Sequence, residues 1–274
     1  MQRSPELVRL IEAMTVLRKE RLLARHVRTA EKALAKAFTA QGADFLRRLA
    51  AHKGRFAVAE SLREGTAEEF DPAPLFTQAE LATLALFEEP IGKLAEAALT
   101  AGVRVALAEL AADISFDLEH PRAVAFLKGR AAERVTMIND TTREGLRTLL
   151  TQAMEEGWSY GKTAKEIKGR FDGFAGKAAQ KHIRSRAELI AVQEAGEAYE
   201  HGNLAVGHEL AGVGLEMQKA WQTVGDARVS ALCLSNQAAG WIPVDQAFPS
   251  GHDRPLGHVS CRCCGLYRRK PTTE

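Results

Sequence analysis

Cysteine is missing from the first 232 residues of this 274-residue chain, and its four copies, Cys233, Cys261, Cys263 and Cys264, crowd into the last 42. A disulfide scaffold spreads its cysteines along a short secreted domain, so this distribution argues against one and points to a metal site or to free thiols. Long apolar runs are missing as well. No stretch of about 18 consecutive apolar residues offers a membrane span. The opening MQRSPELVRLIEAM has neither the apolar core nor the small-residue cleavage site of a secretory signal. Synthesis and folding in a cytosol are the expectation.

Catalytic constellations are equally scarce. There is no Gly-x-Ser-x-Gly and no His-Glu-x-x-His. Glu88-Glu89 and Glu155-Glu156 are sequence neighbours, which point to different parts of a helix surface. His26, His52, His182 and His201 fall among charged helical positions and read as solvated. Gly157-Trp158-Ser159-Tyr160-Gly161-Lys162-Thr163 has three residues between its glycines where a phosphate-binding loop needs four, and it follows a helix instead of a strand. It reads as a helix–turn–helix connector. No nucleophile–base arrangement presents itself.

What is present is a chain with 46% hydrophobic residues, enough for one large or two smaller cores. Its net charge of +2 hides alternating blocks. Residues 1–55 carry 13 Lys/Arg against 5 Asp/Glu, and residues 56–125 carry 4 against 13. Residues 126–186 carry 13 against 7, and residues 187–274 carry 7 against 10. Solvated helix faces alone produce such blocks; self-association or docking to a charged partner would use them.

Periodicity predicts helix over most of the chain. Leu7, Leu10, Ile11, Met14 and Leu17 follow helical spacing in a segment from residue 5 to 53, with Pro5 suited to a first turn. Gly54, the polar run at 63–67 and Asp71-Pro72-Ala73-Pro74 interrupt it. Thr77 and Glu80 form a capping-box pattern that opens a helical stretch to about Ala112, which Pro90 should split or kink. After a loop at Phe116–His120, Pro121 starts a helix. Asp140 is placed as the cap of a helix through Leu146, Leu149, Leu150 and Met154, closed by Gly157. Ser159 or Thr163 opens another to Phe171, ended by the glycine-rich FDGFAG. A long helix runs from about Ala178 to Leu210. Beyond Gly214, Met217–Thr223, Gly240–Val244 and Cys261–Tyr267 read as short strands. The fold class expected is α+β, mainly α, with a helical region at 1–115 and a second domain at 116–274. The second domain comprises helices at 121–212 and a small β lobe at 215–267.

One cluster stands out. Cys233 is followed 25 residues later by His258, then Cys261 and Cys263. Soft nitrogen and sulfur donors at this spacing suit tetrahedral zinc. The same residues also fit a turn histidine beside cysteines packed as small hydrophobes. Spacing alone leaves both readings open.

Three ordered segments carry a family resemblance. The first is Val135–Arg143 with the Glu156–Ser159 turn. The second is Arg186-Ala187-Glu188-Leu189-Ile190-Ala191 with Glu194 and Tyr199. The third is Lys219–Trp221, Gly225-Asp226-Ala227-Arg228-Val229, Cys233, Gly240, Pro243, Phe248-Pro249 and His258–Cys263. In this order they resemble the phage Mu F-like head morphogenesis family over roughly residues 115–267. The resemblance implies a structural minor capsid protein of a tailed phage or prophage, not an enzyme, made in the host cytoplasm and located in the virion, inside the capsid near the portal. It implies portal, capsid or scaffold proteins as partners and no membrane, with Arg186, Glu188, Glu194, Asp226 and Arg228 as motif residues. Contact with packaged double-stranded DNA, independent of sequence, would use the basic blocks.

Family members carry a Cys-x-x-Cys pair where this chain has Ser230 and Cys233, so a family-type structural zinc would need Cys233, His258, Cys261 and Cys263, with Cys264 as substitute. Two alternatives are a zinc-containing nucleic-acid-binding module and a Mu F-linked toxin-type enzyme. The sequence ends seven residues past the last strand-like segment, so no C-terminal effector is expected.

Overall fold

The computed structural model describes residues 5–52, 73–110, 121–175 and 185–271. Helix α1 (Pro5–Ala50), α2 (Ala73–Glu109), α3 (Pro121–Glu155), α4 (Tyr160–Ala175) and α5 (Arg186–Gly212) precede a lobe of β1 (Met217–Gln222), α6 (Ala231–Ala238), β2 (Ile242–Pro243) and β3 (Cys264–Arg269). The expected class, mainly helical with a small β lobe at the C-terminus, is the one observed. The loops read at 54–72 and 116–120, and the expected helix start at Ala178, lie outside the described residues.

Several local expectations are corrected. Asp140 caps nothing: it lies inside the continuous α3, exposed and paired with Arg143 one turn on at 3.3 Å. Thr77 also lies inside a helix, its hydroxyl donating to the Ala73 carbonyl at 3.2 Å, so α2 starts four residues earlier. That helix continues through Pro90 without splitting. The face of α1 that packs inward carries Val16, Lys19, Leu23, Ala30 and Leu34, whereas Met14 and Leu17 are exposed. His201 is half-buried and stacked on Phe126, with ring centroids 4.1 Å apart, and so is not a solvated surface residue.

Other readings hold. Ser159 opens α4, its hydroxyl accepting from the Lys162 amide at 3.3 Å. Gly157–Thr163 joins α3 to α4 as a connector, with Gly157 in the left-handed conformation (φ 63°) that ends a helix.

The chain divides into two compact units. One is built from residues 30–91 and 129–189. Phe45 and Phe76 stack there at 4.8 Å, amid Leu49, Leu146, Leu150 and Ile167. Burial of each such side chain is worth ~1.5–3 kcal/mol. A buried amide, Gln41, donates to Asn139 at 3.0 Å. Arg186 lies over the rings of Phe174 and Phe38, and its guanidinium donates to Thr142 Oγ1 (3.0 Å) and to the Ile138 carbonyl (2.9 Å).

The other unit is built from residues 1–29, 92–128 and 190–274. Here α2 and α5 approach backbone to backbone. A Cβ on Gly102 would lie 2.1 Å from the Tyr199 carbonyl oxygen, and one on Gly202 would lie 2.5 Å from that of Leu99. Both positions therefore require glycine. The strands form an antiparallel sheet in the order β2-β1-β3, with Lys219 opposite Ile242 and Trp221 opposite Gly265.

Candidate metal centre

The four expected donors come from three different pieces of the lobe. Cys233 sits in the first turn of α6, a helix absent from the sequence reading, and Ser230 caps that helix by accepting from the Cys233 amide at 3.2 Å. His258 and Cys261 flank a tight turn closed by the Cys261 amide on the His258 carbonyl (3.1 Å), with Ser260 at φ 65°. Cys263 immediately precedes β3.

The Sγ atoms of Cys233, Cys261 and Cys263 all lie within 4.8 Å of one another and are buried. Cys233 Sγ is 3.6 Å from Cys261 Sγ and 3.4 Å from His258 Nε2. A tetrahedral zinc with Zn–S of ~2.3 Å and Zn–N of ~2.0–2.1 Å requires edges of ~3.8 Å between sulfurs and ~3.6 Å between sulfur and nitrogen. The Cys233–Cys261 and Cys233–His258 separations are therefore near coordinating ones, while His258 is exposed and lies outside the group of three mutually close sulfurs.

Their surroundings suit the same chemistry. His258 Nδ1 lies 2.9 Å from the Val259 carbonyl, an arrangement that holds the Nδ1–H tautomer and leaves the Nε2 lone pair within reach of the Ser230 hydroxyl and Cys233 Sγ. The Cys261 thiol is pulled down to about 5, first by the hydrogen bond from the Cys263 side chain and then by the Cys263 and Gly257 amides, against burial. Cys263 is pushed up by serving as that donor and by burial, and Cys233 is pushed up chiefly by burial. A divalent cation would displace the protons held among these coupled thiols. Trp221 Nε1 is buried beside the Cys263 sulfur, which as a thiolate would accept from it. The ring itself packs with Phe248, Val229, Leu232 and Leu256 around the sulfurs.

Cys264, the expected substitute, is buried but falls outside this group of donors and electrostatically affects Lys19, Tyr199 and Tyr267 instead. Ser230 keeps its place beside the cluster, its hydroxyl 3.0 Å from His258 Nε2, and serves as helix cap. The Cys233–His258 pair resembles a nucleophile with its base, yet Cys233 is 1% exposed and its thiol is raised rather than activated.

The motif residues divide by role. Asp226 accepts from Arg262 Nη2 at 2.6 and 2.8 Å and from the Arg228 amide at 3.0 Å, which ties the loop after β1 to the cysteine segment. The Arg262 hydrogen bond leads the causes that hold its carboxyl down at about 2. Glu188 lies in the first turn of α5, where its amide donates to Ser185 Oγ at 3.1 Å, and Glu194 is buried on the same helix. Arg186 belongs to the other unit's core.

Sequence reasoning missed Lys19 and Glu200. They form a buried ion pair at 3.0 Å, and Lys19 Nζ also donates to the Cys263 carbonyl. Burial pushes the Glu200 carboxyl up, while the Lys19 ammonium, opposed by burial, is held up by Glu200.

Residues 144–265 match the family described as Phage Mu protein F like protein, a range that includes all four donors and leaves out the Val135–Arg143 segment. No curated protein and no solved structure matches the chain.

Proposed function

Because the chain carries a phage Mu F-like segment, we propose that it is a structural head morphogenesis protein, a minor head component that joins the portal and capsid or scaffold proteins during assembly and stays in the virion near the portal. The match over residues 144–265 is the observation that carries this reading. An enzymatic role finds little support, since the Cys233 thiol beside His258 is buried and raised rather than activated. No helix among the described residues is long and apolar enough to cross a membrane. Co-expression with the portal protein from the same genome tests the partnership: the two should co-purify, and failure to do so under assembly conditions would remove it.

Within this role the C-terminal lobe holds one structural zinc through Cys233, Cys261, Cys263 and His258. When bound, the ion neutralises buried thiolates and staples a lobe too small to build much core of its own. The closeness of the three sulfurs and of Cys233 to His258 supports this. Three buried sulfurs and a histidine fill a tetrahedron, leaving no position for a catalytic water.

Contact with packaged DNA is the third part of the reading. Arg21, Arg25 and Arg28 recur every three or four residues along the exposed face of α1. Such a face meets phosphates by charge alone. Binding of duplex DNA should weaken steeply with salt, as counterion release demands.

A further inference from the structure

Lys19 is out of place on a solvated helix. It lies on α1 between the buried Val16 and Leu23, with its side chain 6% exposed, and its partner Glu200 on α5 is fully buried. A buried ammonium is tolerated only when it is paired and hydrogen-bonded. Lys19 meets that requirement with two acceptors, the Glu200 carboxylate (3.0 Å) and the backbone carbonyl of Cys263. Glu200 in turn uses its second oxygen to accept from the Gly265 amide at 2.9 Å. Further along the same loop, the Ser260 amide donates to Gln193 Oε1, also on α5, at 3.1 Å. The cysteine segment is thus gripped at residues 260, 263 and 265, and one of those grips comes from the first helix of the chain, 244 residues away.

Resting on the zinc reading above, we propose that Lys19 and Glu200 are positioning residues of the metal centre and latch residues 14–29 of α1 to the metal-bound lobe. The Cys263 carbonyl stays where Lys19 needs it only while residues 258–264 hold one conformation, and in a lobe this small the metal is what holds them. Without the ion, the carbonyl moves, a buried charge pair loses a partner, and this stretch of α1 is released. Coupling of this kind is reciprocal: an α1 that cannot latch weakens the metal. Metal occupancy thereby controls whether the helix that opens the chain is docked.

The test uses the full chain and zinc ions alone. The variant Lys19→Met/Glu200→Gln removes both buried charges while keeping an acceptor for Gly265. Zinc affinity is measured by chelator competition, and hydrogen exchange of residues 14–29 and 217–269 is followed with and without zinc. In the parent protein zinc should slow exchange in both regions. In the variant it should slow exchange in 217–269 alone, with affinity lower by about tenfold, the lower end of what loss of outer-shell partners causes. Unchanged affinity in the variant, or protection of residues 14–29 that ignores zinc in the parent, overturns the latch and leaves the centre standing. Absence of zinc binding by the parent chain removes the centre and the latch together.

Discussion

The Ser230 hydroxyl lies 3.0 Å from His258 Nε2 while accepting the amide of Cys233, so the serine that stands where phage Mu F-like proteins carry a cysteine caps a helix beside the proposed metal donors. Ser230→Ala should therefore behave as a lost cap. Thermal unfolding should show a loss of about 1 kcal/mol, and zinc content should remain one ion per chain. A drop in zinc stoichiometry would make the serine a ligand and break the four-donor assignment.

Cys261 joins the cluster from the turn that also carries His258. Cys261→Ser should abolish stoichiometric zinc in protein purified without chelator. It should also open residues 215–267 to trypsin while the helices stay folded by circular dichroism. Zinc near zero in the parent, with the lobe still protected, would leave the cysteines as packing residues.

Asp226 adds a pH dependence. Its carboxyl titrates at about 2 when folded against 3.8 ordinarily, with Arg262 as the leading cause. A depressed acid stabilises the fold above its unfolded value, and that contribution is lost as pH falls from 3.8 through 2. With chelator present throughout, Asp226→Asn should be less stable than the parent at neutral pH and equal to it near pH 2. A gap that persists at pH 2 would assign the loss to packing.

Arg186 predicts a cost in the other unit. Its fork reaches Thr142 and the Ile138 carbonyl together, which a lysine cannot do. Arg186→Lys should lower urea stability by about 2 kcal/mol, the scale of hydrogen bonds made by a charged group, without changing zinc content. Parent-like unfolding would show that the ring contacts with Phe174 and Phe38 suffice.

The helices were legible where apolar spacing and glycine or proline punctuation agreed, as at Pro5, Pro121 and Gly157. They were misread where a capping residue type sat on a solvent face: Asp140 and Thr77 have the chemistry of caps, but the packing of α3 and α2 carries the helix past them. Helix α6 is only eight residues long, too short for a periodic signal, although Ser230 three residues before Cys233 was its cap in plain view. The three sulfurs and His258 could be listed from spacing, but the convergence of the sulfurs depends on α6 and the Ser260 turn. Lys19 and Glu200 had no local signal, because they are 181 residues apart and owe their meaning to burial.

A head morphogenesis protein of the kind proposed should be built into phage heads. Quantitative mass spectrometry of purified proheads and mature virions, from a lysate in which the encoding phage is induced, tests it most directly. The polypeptide should appear at a fixed ratio to the portal protein in at least one of these particles. Its absence from both, with the protein abundant in the soluble lysate, would rule out a structural role in the head.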